Sequence, residues 1–229
     1  MLGVKLQPES NKQVILNKQF LSKSFPTRNS DKMYIALQLY DEAYMIAREY
    51  FTFYYIMGTE TIIEYVNTHE IGYSWEFLKN AIFDMGINAL FRFYDKPSGK
   101  NNSKNEHVLW QCKQAFDTEV SSLKSSHITE ITKHRHNNTA HCGNGFHIDS
   151  TSIKYDSPLI AIERLRQDRN RFDKEKLNSG CTIYQESLHE YFCSKIDNII
   201  KILNSKEINN AKIANELKEY IDSVLSDNI

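Results

Sequence analysis

Apolar residues recur every three or four positions over most of this chain, a spacing typical of helices with one buried face. The first such stretch starts at Ser30, which is suited to cap a helix, and runs to Gly58, where a helix is expected to stop. A shorter helix is predicted for residues 59–68. A third begins after Gly72 and runs to the Lys-Pro-Ser-Gly sequence at 96–99. The predicted core residues of this third helix are Ile82, Met85, Ala89, Leu90 and Phe93.

Helical spacing resumes after the polar loop at residues 100–105, first in a helix over residues 106–124 that turns Cys112 inward. Ser125 or Ser126 then caps a helix over about residues 126–142, which we call the motif helix. Ile128 and Ile131 are expected to anchor this helix to the bundle, so its polar ridge should face outward.

Three further helices are predicted in the C-terminal part of the chain. Ser157 followed by Pro158 reads as an N-cap and a first helical residue, opening a helix that ends before the Asn-Ser-Gly sequence at 178–180. The next helix is expected from about Thr182 to Leu203, and the last from about Ser205 to Leu225. These elements form a C-terminal extension over about residues 157–229.

Composition favours one all-α domain. The chain has 229 residues, of which 41% are hydrophobic and 12% aromatic, enough for a substantial core. With only four prolines and eight glycines, it has few of the turn signals of a sheet protein. We predict an N-terminal tail at residues 1–29 and a single helical domain at residues 30–229.

Charge and segment patterns limit the classes of function. The formal net charge is −1, which argues against a protein that coats nucleic acid, so any RNA binding must be local. No apolar run approaches a membrane span and the N-terminus lacks a signal-peptide core, so we predict a cytoplasmic protein without membrane contact. The four cysteines form no Cys-x-x-Cys pair and are predicted to be reduced thiols.

Two residue clusters outside the motif helix invite a functional reading. The aromatic stripe of the first helix could stack on bases, but core or dimer packing is the favoured interpretation. The arginines between residues 164 and 171 are interleaved with Asp168 and Asp173, which favours a salt-bridged exposed face over an RNA track. A further pair, Arg92 and Asp95, is expected to interact on the surface. The aromatic stripe of the first helix consists of Tyr34, Tyr40, Tyr44, Tyr50, Phe51, Tyr54 and Tyr55.

The motif helix carries the candidate chemistry, in the sequence KHRHNNTAHC at residues 133–142. On a helix, Arg135, Asn138 and His141 lie on one ridge, with His136 beside it. The Asn-Asn-Thr run is unfavourable inside a helix, and a local rule broken within an element hints at function. RNA cleavage without a metal needs a proton donor and acceptor and a cation beside the phosphorane. His141 and Arg135 fit these roles, and Asn138 could hold substrate or orient His141.

A zinc site is a weaker interpretation of the same segment. Five histidines lie between His127 and His147, with Cys142 among them. His134 and His141 are seven residues apart on a helix, about 10 Å, too far to bind one ion together. No glutamate stands in an H-E-x-x-H position. We therefore predict no metal and no cofactor.

These residues also carry a family resemblance. Five residues separate Arg135 from His141, within the R-x(4–6)-H pattern of HEPN domains. The run RHNNTAHC is similar to that of the AbiU-type abortive-infection HEPN family, and ALFRFYDKPSGKNNSKN at residues 89–105 resembles that family's Asp-containing turn and following loop. The resemblance covers roughly residues 30–141. It implies a HEPN-like helical bundle, with the C-terminal helices as additions, and gives Asp95 a potential role in orienting the site.

The function implied by this resemblance is a metal-independent endoribonuclease that acts in phage defence or as a toxin. Catalysis would rest on Arg135 and His141. His136 occupies the polar position after the arginine, and Asn138 would assist. HEPN proteins generally pair two motif helices across a two-fold axis, which implies a homodimer. The nuclease and toxin function that the resemblance implies adds an RNA substrate and a possible antitoxin or nucleotidyltransferase partner. The alternatives are a non-catalytic HEPN module that binds RNA, nucleotide or a partner, and a helical scaffold with an incidental His-rich face.

Overall fold

The fold is all-α, as predicted. The computed structural model describes residues 29–94, 112, 125–135, 156–172 and 184–227, and within these it contains seven helices and no strand. Of the predicted tail at residues 1–29, residues 1–28 lie outside the described residues, and Asn29 belongs to the first helix. The helices are α1 (Asn29–Met57), α2 (Glu60–Thr68), α3 (Gly72–Tyr94), α4 (Ser125–His134), α5 (Asp156–Phe172), α6 (Leu188–Leu203) and α7 (Asn210–Ser226).

Helix α1 is the centre of the bundle and packs against α3, α5, α6 and α7. Five of the seven rings of its aromatic stripe lie in the core, so packing is confirmed and base stacking is wrong for these five. Tyr40 meets Phe93 of α3 edge to face, and Tyr44 packs on Tyr184. The five buried rings are Tyr40, Tyr44, Phe51, Tyr54 and Tyr55.

Helices α1 and α3 approach each other closely at Gly86. A Cβ atom at this position would lie 2.8 Å from the ring of Phe51, which is itself fully buried. Only a hydrogen fits there, so the glycine sets the separation of the two helices and fixes the α3 face that turns inward.

Several helix boundaries agree with the sequence. Helix α1 ends before Gly58, whose N–H donates to the carbonyls of Tyr54 and Tyr55 at 3.1 and 3.2 Å. Helix α2 follows with Thr59 at its N-cap. Cys112 is helical and buried, as predicted for residues 106–124, whose other members lie outside the described residues. Cys112 and Cys193 carry free thiols.

Other predicted helix starts are wrong. Helix α1 begins at Asn29, so Ser30 lies within its first turn. Helix α6 begins at Leu188 and not at about Thr182, because Ser187 and Glu190 form a capping box there. Helix α7 begins at Asn210 and not at Ser205, because the Asn209 side chain caps its first turn. Apolar spacing alone could not locate these caps.

The arginine face of α5 is salt-bridged, as predicted, but it is not exposed. The Arg169 side chain is fully buried and donates to Asp41 of α1 at 2.9 and 3.3 Å. The Tyr184 hydroxyl donates to the same carboxylate at 2.5 Å, and burial raises the pKa of this phenol. Within α5, Arg171 pairs with Asp168 as the interleaving suggested. These contacts join α5 to α1 as part of the core. The prediction of an exposed face is therefore wrong.

The inward face of α3 is close to that predicted. Ala89, Leu90 and Phe93 are buried and Ile82 is partly buried. Met85 is 51% exposed, so its assignment to the core is wrong; it lies on the opposite side of the helix from Phe83 and Leu90.

Among the described helices, none has both the length and the apolar content needed to cross a membrane.

Candidate functional site

The motif helix α4 is held at its first turns by a buried polar cluster. His127 Nδ1 lies 2.7 Å from the Ser157 hydroxyl, which in turn donates to Glu130 at 2.5 Å. Because the serine proton is directed to the carboxylate, the imidazole N–H is the donor toward Ser157. Ser157 was expected to cap α5, but α5 starts one residue earlier, at Asp156, and the Ser157 hydroxyl contacts α4. That N-cap prediction is wrong.

The other end of α4 is held against α3. His134 Nε2 lies 2.7 Å from Asp84 Oδ1, and its ring meets Phe83 edge to face at 5.2 Å between centroids. Arg135 continues the helix in a π-helical turn, with its guanidinium carbon 4.0 Å from the centre of the Phe91 ring. Cation–π contacts of this kind are worth about 0.5–2 kcal/mol. Both ends of α4 are therefore fixed by side chains from other helices.

The direction of the polar ridge differs from the expectation. Ile131 is fully buried and Ile128 partly buried, so the predicted anchors are confirmed. Arg135, however, is half-buried and packs on α3, so its predicted outward direction is wrong. The Phe91 ring supplies the apolar surface on which the planar guanidinium rests.

Arg135 is the one predicted catalytic residue that lies within the described part of the chain. The other three, His136, Asn138 and His141, fall outside the described residues, as does Asp95. Whether these side chains meet Arg135 therefore stays a prediction, as do the motif helix beyond residue 135 and the pair between Arg92 and Asp95.

The structure adds four positioning residues that the sequence did not single out for this role: Asp84, Phe91, His127 and Ser157. Asp84 and Phe91 are seven residues apart on α3 and therefore share one face of that helix. His127 and His134 have the same spacing on α4. These i, i+7 pairs indicate which side chains share a helix face. They do not reveal the contact partners, because Ser157 lies 30 residues from His127 and Asp84 lies 50 residues from His134 along the chain.

Charge elsewhere in the fold does not favour a phosphate ligand. A cavity of about 690 Å³ lies between the end of α1, α3 and α7, lined by Glu60, Glu76, Glu216, Glu219, Lys79 and tyrosines. Its excess of carboxylates repels polyanions. His189 lies 3.3 Å from Cys193 on α6, but burial raises the pKa of this thiol and so disfavours the nucleophilic thiolate. Among the described residues, no three His, Cys, Asp or Glu side chains group as a metal site.

The comparisons with known proteins add no relative: no family model, no curated protein and no solved structure matches this chain. The Arg135 end of α4 is thus the candidate functional site on the chain's own chemistry.

Proposed function

We propose that this chain is a HEPN-type, metal-independent endoribonuclease that acts in phage defence or as a toxin. The observation that carries the proposal is the position of Arg135. A permanently charged guanidinium stands at the end of a helix clamped by Asp84 and Ser157, six residues before His141. The cation is placed by its surroundings before any substrate binds.

The proposed chemistry follows from the residue types. A histidine takes the proton of the ribose 2′-hydroxyl, and proton return to the leaving 5′-oxygen releases a 2′,3′-cyclic phosphate. Arg135 stabilises the phosphorane charge through two parallel N–H donors. His141 is the proposed proton carrier, with His136 and Asn138 assisting.

The proposed assembly is a homodimer, as the resemblance to HEPN proteins implies, because one chain supplies one Arg135 and His141 pair and two motif helices would form a composite cleft. The proposed location is the cytoplasm. An antitoxin or nucleotidyltransferase would restrain it in the cell. Light scattering of the purified protein tests the dimer: a monomer at the concentrations that cleave RNA would contradict it.

The direct test is RNA cleavage in EDTA with the purified chain, together with toxicity on overexpression. His141→Ala should lower the rate about 10²- to 10⁴-fold. Arg135→Ala should also abolish cleavage, and Arg135→Lys should rescue it poorly because an ammonium lacks the planar fork. His189→Ala is the matched control, since that imidazole contacts Cys193 and the Ala214 carbonyl on α6 and α7.

Retained fold with lost cleavage is the expected result, checked by circular dichroism. If His141→Ala and Arg135→Ala proteins remained as toxic as wild type at equal abundance, the nuclease proposal would be wrong. RNA binding without cleavage by wild type would favour the non-catalytic HEPN module instead.

A further inference from the structure

The cavity between the end of α1, the first turns of α3 and helix α7 is large enough for a small organic ligand. Its volume of about 690 Å³ lies within the range of about 300–1,000 Å³ that is usual for ligand sites. Lys79, which lines it, precedes Phe91 by twelve residues on α3, or about 18 Å along the helix axis. A small ligand in this cavity would therefore be separate from the Arg135 site.

Part of the cavity wall is aromatic and is held in place by other helices. The Tyr55 ring contacts those of Tyr54 and Tyr220, with centroids 5.3 and 5.5 Å apart. The Tyr220 hydroxyl donates at 2.8 Å to Asp156 of α5, a residue that does not line the cavity. The polar end of this ring is thus used by α5, and its carbon atoms remain for the cavity. Leu217 adds an aliphatic surface, so the wall suits methylene groups and a nearby cation.

The charged side chains of the cavity favour a cationic guest. Four glutamates line it but only one lysine. Glu76 is paired with Lys79 at 2.7 Å, and Glu216 accepts a hydrogen bond from α2 at 2.6 Å. Glu60 and Glu219 are exposed and make no hydrogen bond or ion pair with another residue that the structure describes. Two of the four carboxylates therefore remain open to a cation from solution.

The spacing of these carboxylates suits an extended cation better than a metal ion. Within the described ranges, no three His, Cys, Asp or Glu side chains lie close enough together to hold one metal. A chain of ammonium groups can instead meet separated carboxylates one at a time. The cavity already contains one such contact, because the Lys79 side chain is only 15% exposed and its ammonium lies 2.7 Å from Glu76. An alkylammonium paired with a carboxylate is thus a chemistry that this cavity accommodates.

We infer that this cavity binds a linear aliphatic polyamine. Its ammonium groups pair with Glu60 and Glu219, and its methylene groups lie on the rings of Tyr54 and Tyr220 and on Leu217. The same carboxylates repel RNA and nucleotides, so this site goes beyond the proposed function and does not depend on it.

The experiment is isothermal titration calorimetry of the purified chain with spermidine at an ionic strength of about 0.15 M. Glu60→Gln/Glu219→Gln should raise the Kd about 3- to 30-fold, because two ion pairs with the ligand are lost. The matched control, Glu42→Gln/Glu207→Gln, removes the same charge from exposed positions outside the cavity and should leave the Kd unchanged. Tyr220→Phe keeps the ring and should bind as wild type does, whereas Tyr220→Leu should raise the Kd about 2- to 5-fold. Circular dichroism checks that each variant is folded.

The remaining outcomes would overturn the inference. An equal rise of the Kd in the two charge-matched double variants would show diffuse attraction to an acidic protein surface. Displacement of spermidine by an equal concentration of Mg²⁺ would show that the carboxylates take a metal ion. Tetralysine binding more tightly than spermidine would assign the cavity to a basic segment of another protein. RNA cleavage is measured separately, and its absence would contradict only the nuclease proposal.

Discussion

Asp41→Asn is the sharpest test of how α5 is held in the bundle. In the wild-type fold the Arg169 side chain is 0% exposed and that of Asp41 is 15% exposed, so the ion pair is almost without water. The substitution keeps the shape of Asp41 but removes its charge, leaving a guanidinium buried beside a neutral amide. Removing one partner of a buried pair costs about 3–5 kcal/mol.

The lower end of that range applies here. In the wild type, Arg169 Nε donates to Asp41 Oδ1 at 2.9 Å, and an asparagine oxygen in the same position can still accept this hydrogen bond. We expect a loss of about 3 kcal/mol out of a total of about 5–15 kcal/mol for a typical domain. For a chain of this length the melting temperature should fall by about 6–12 °C. Urea unfolding followed by circular dichroism measures the free energy directly.

The matched control is Lys212→Gln, which removes an exposed ion pair to Glu64 at 3.5 Å with side chains 50% and 62% exposed. Exposed pairs contribute about 0–1 kcal/mol, so this variant should unfold close to wild type. Asp41→Asn/Arg169→Met should recover part of the loss, because it removes both charges of this pair and leaves neither partner buried alone. A loss below about 1 kcal/mol for Asp41→Asn alone would refute the role assigned to the pair.

Three further outcomes follow from contacts around the site and core. His134→Ala should cost about 1 kcal/mol and speed amide exchange over residues 125–135, because it removes the pair with the half-exposed Asp84. Gly86→Ala should cost about 1–2 kcal/mol in urea unfolding, because its Cβ would meet the Phe51 ring at 2.8 Å. Burial raises the pKa of the Cys112 thiol to about 12. Since this folded-state pKa is raised, the thiol's stabilising contribution is present below its unfolded pKa of about 8.5 and is lost as pH rises toward 12. Alkylation of Cys112 near pH 8 should therefore track unfolding.

Two of these outcomes have an internal comparison. Gly58→Ala places a Cβ 3.4 Å from the nearest carbonyl, an ordinary contact, and should be tolerated. Cys193 is half-exposed and should be alkylated in the folded protein before Cys112. Equal labelling rates for the two thiols, wild-type stability of Gly86→Ala, or unchanged exchange in His134→Ala would each contradict the packing described here.

Local patterns predicted the helical class and much of the core. Gly58 predicted the end of α1 at Met57. The apolar period of the helix predicted its inward tyrosines, which include Tyr40 and Tyr44, because a helix must bury its apolar face. Local pairing also predicted Arg171 with Asp168, three residues apart. It could not predict Arg169 with Asp41, which are 128 residues apart, because no local pattern records which helix a side chain will meet.

At the candidate site too, local sequence patterns predicted some features, whereas contacts between helices could not be predicted. Arg135 was singled out from its spacing to His141, a property of the sequence alone. Its support on Phe91 depends on how α3 and α4 pack, so the sequence placed its side chain outward where the structure turns it to α3. Ser157 likewise has the sequence context of a cap, but tertiary contacts direct its hydroxyl to Glu130. The roles of His136, Asn138 and His141 stay predictions.

The position of α1 at the centre of the bundle also bears on how the protein is made in the cell. Helix α1 is synthesised early, but its core face packs against α6 and α7, which follow much later in the chain. Tyr55, for example, stacks on Phe192 and packs against the tilted ring of Tyr220. Until α6 and α7 have been synthesised, these apolar rings lack their packing partners. Contacts between residues so far apart in sequence favour slow folding, and exposed apolar surface favours chaperone binding. A fragment that ends before α6 would therefore leave this face of α1 exposed and prone to aggregation, and the bundle is complete only after α7 has been synthesised.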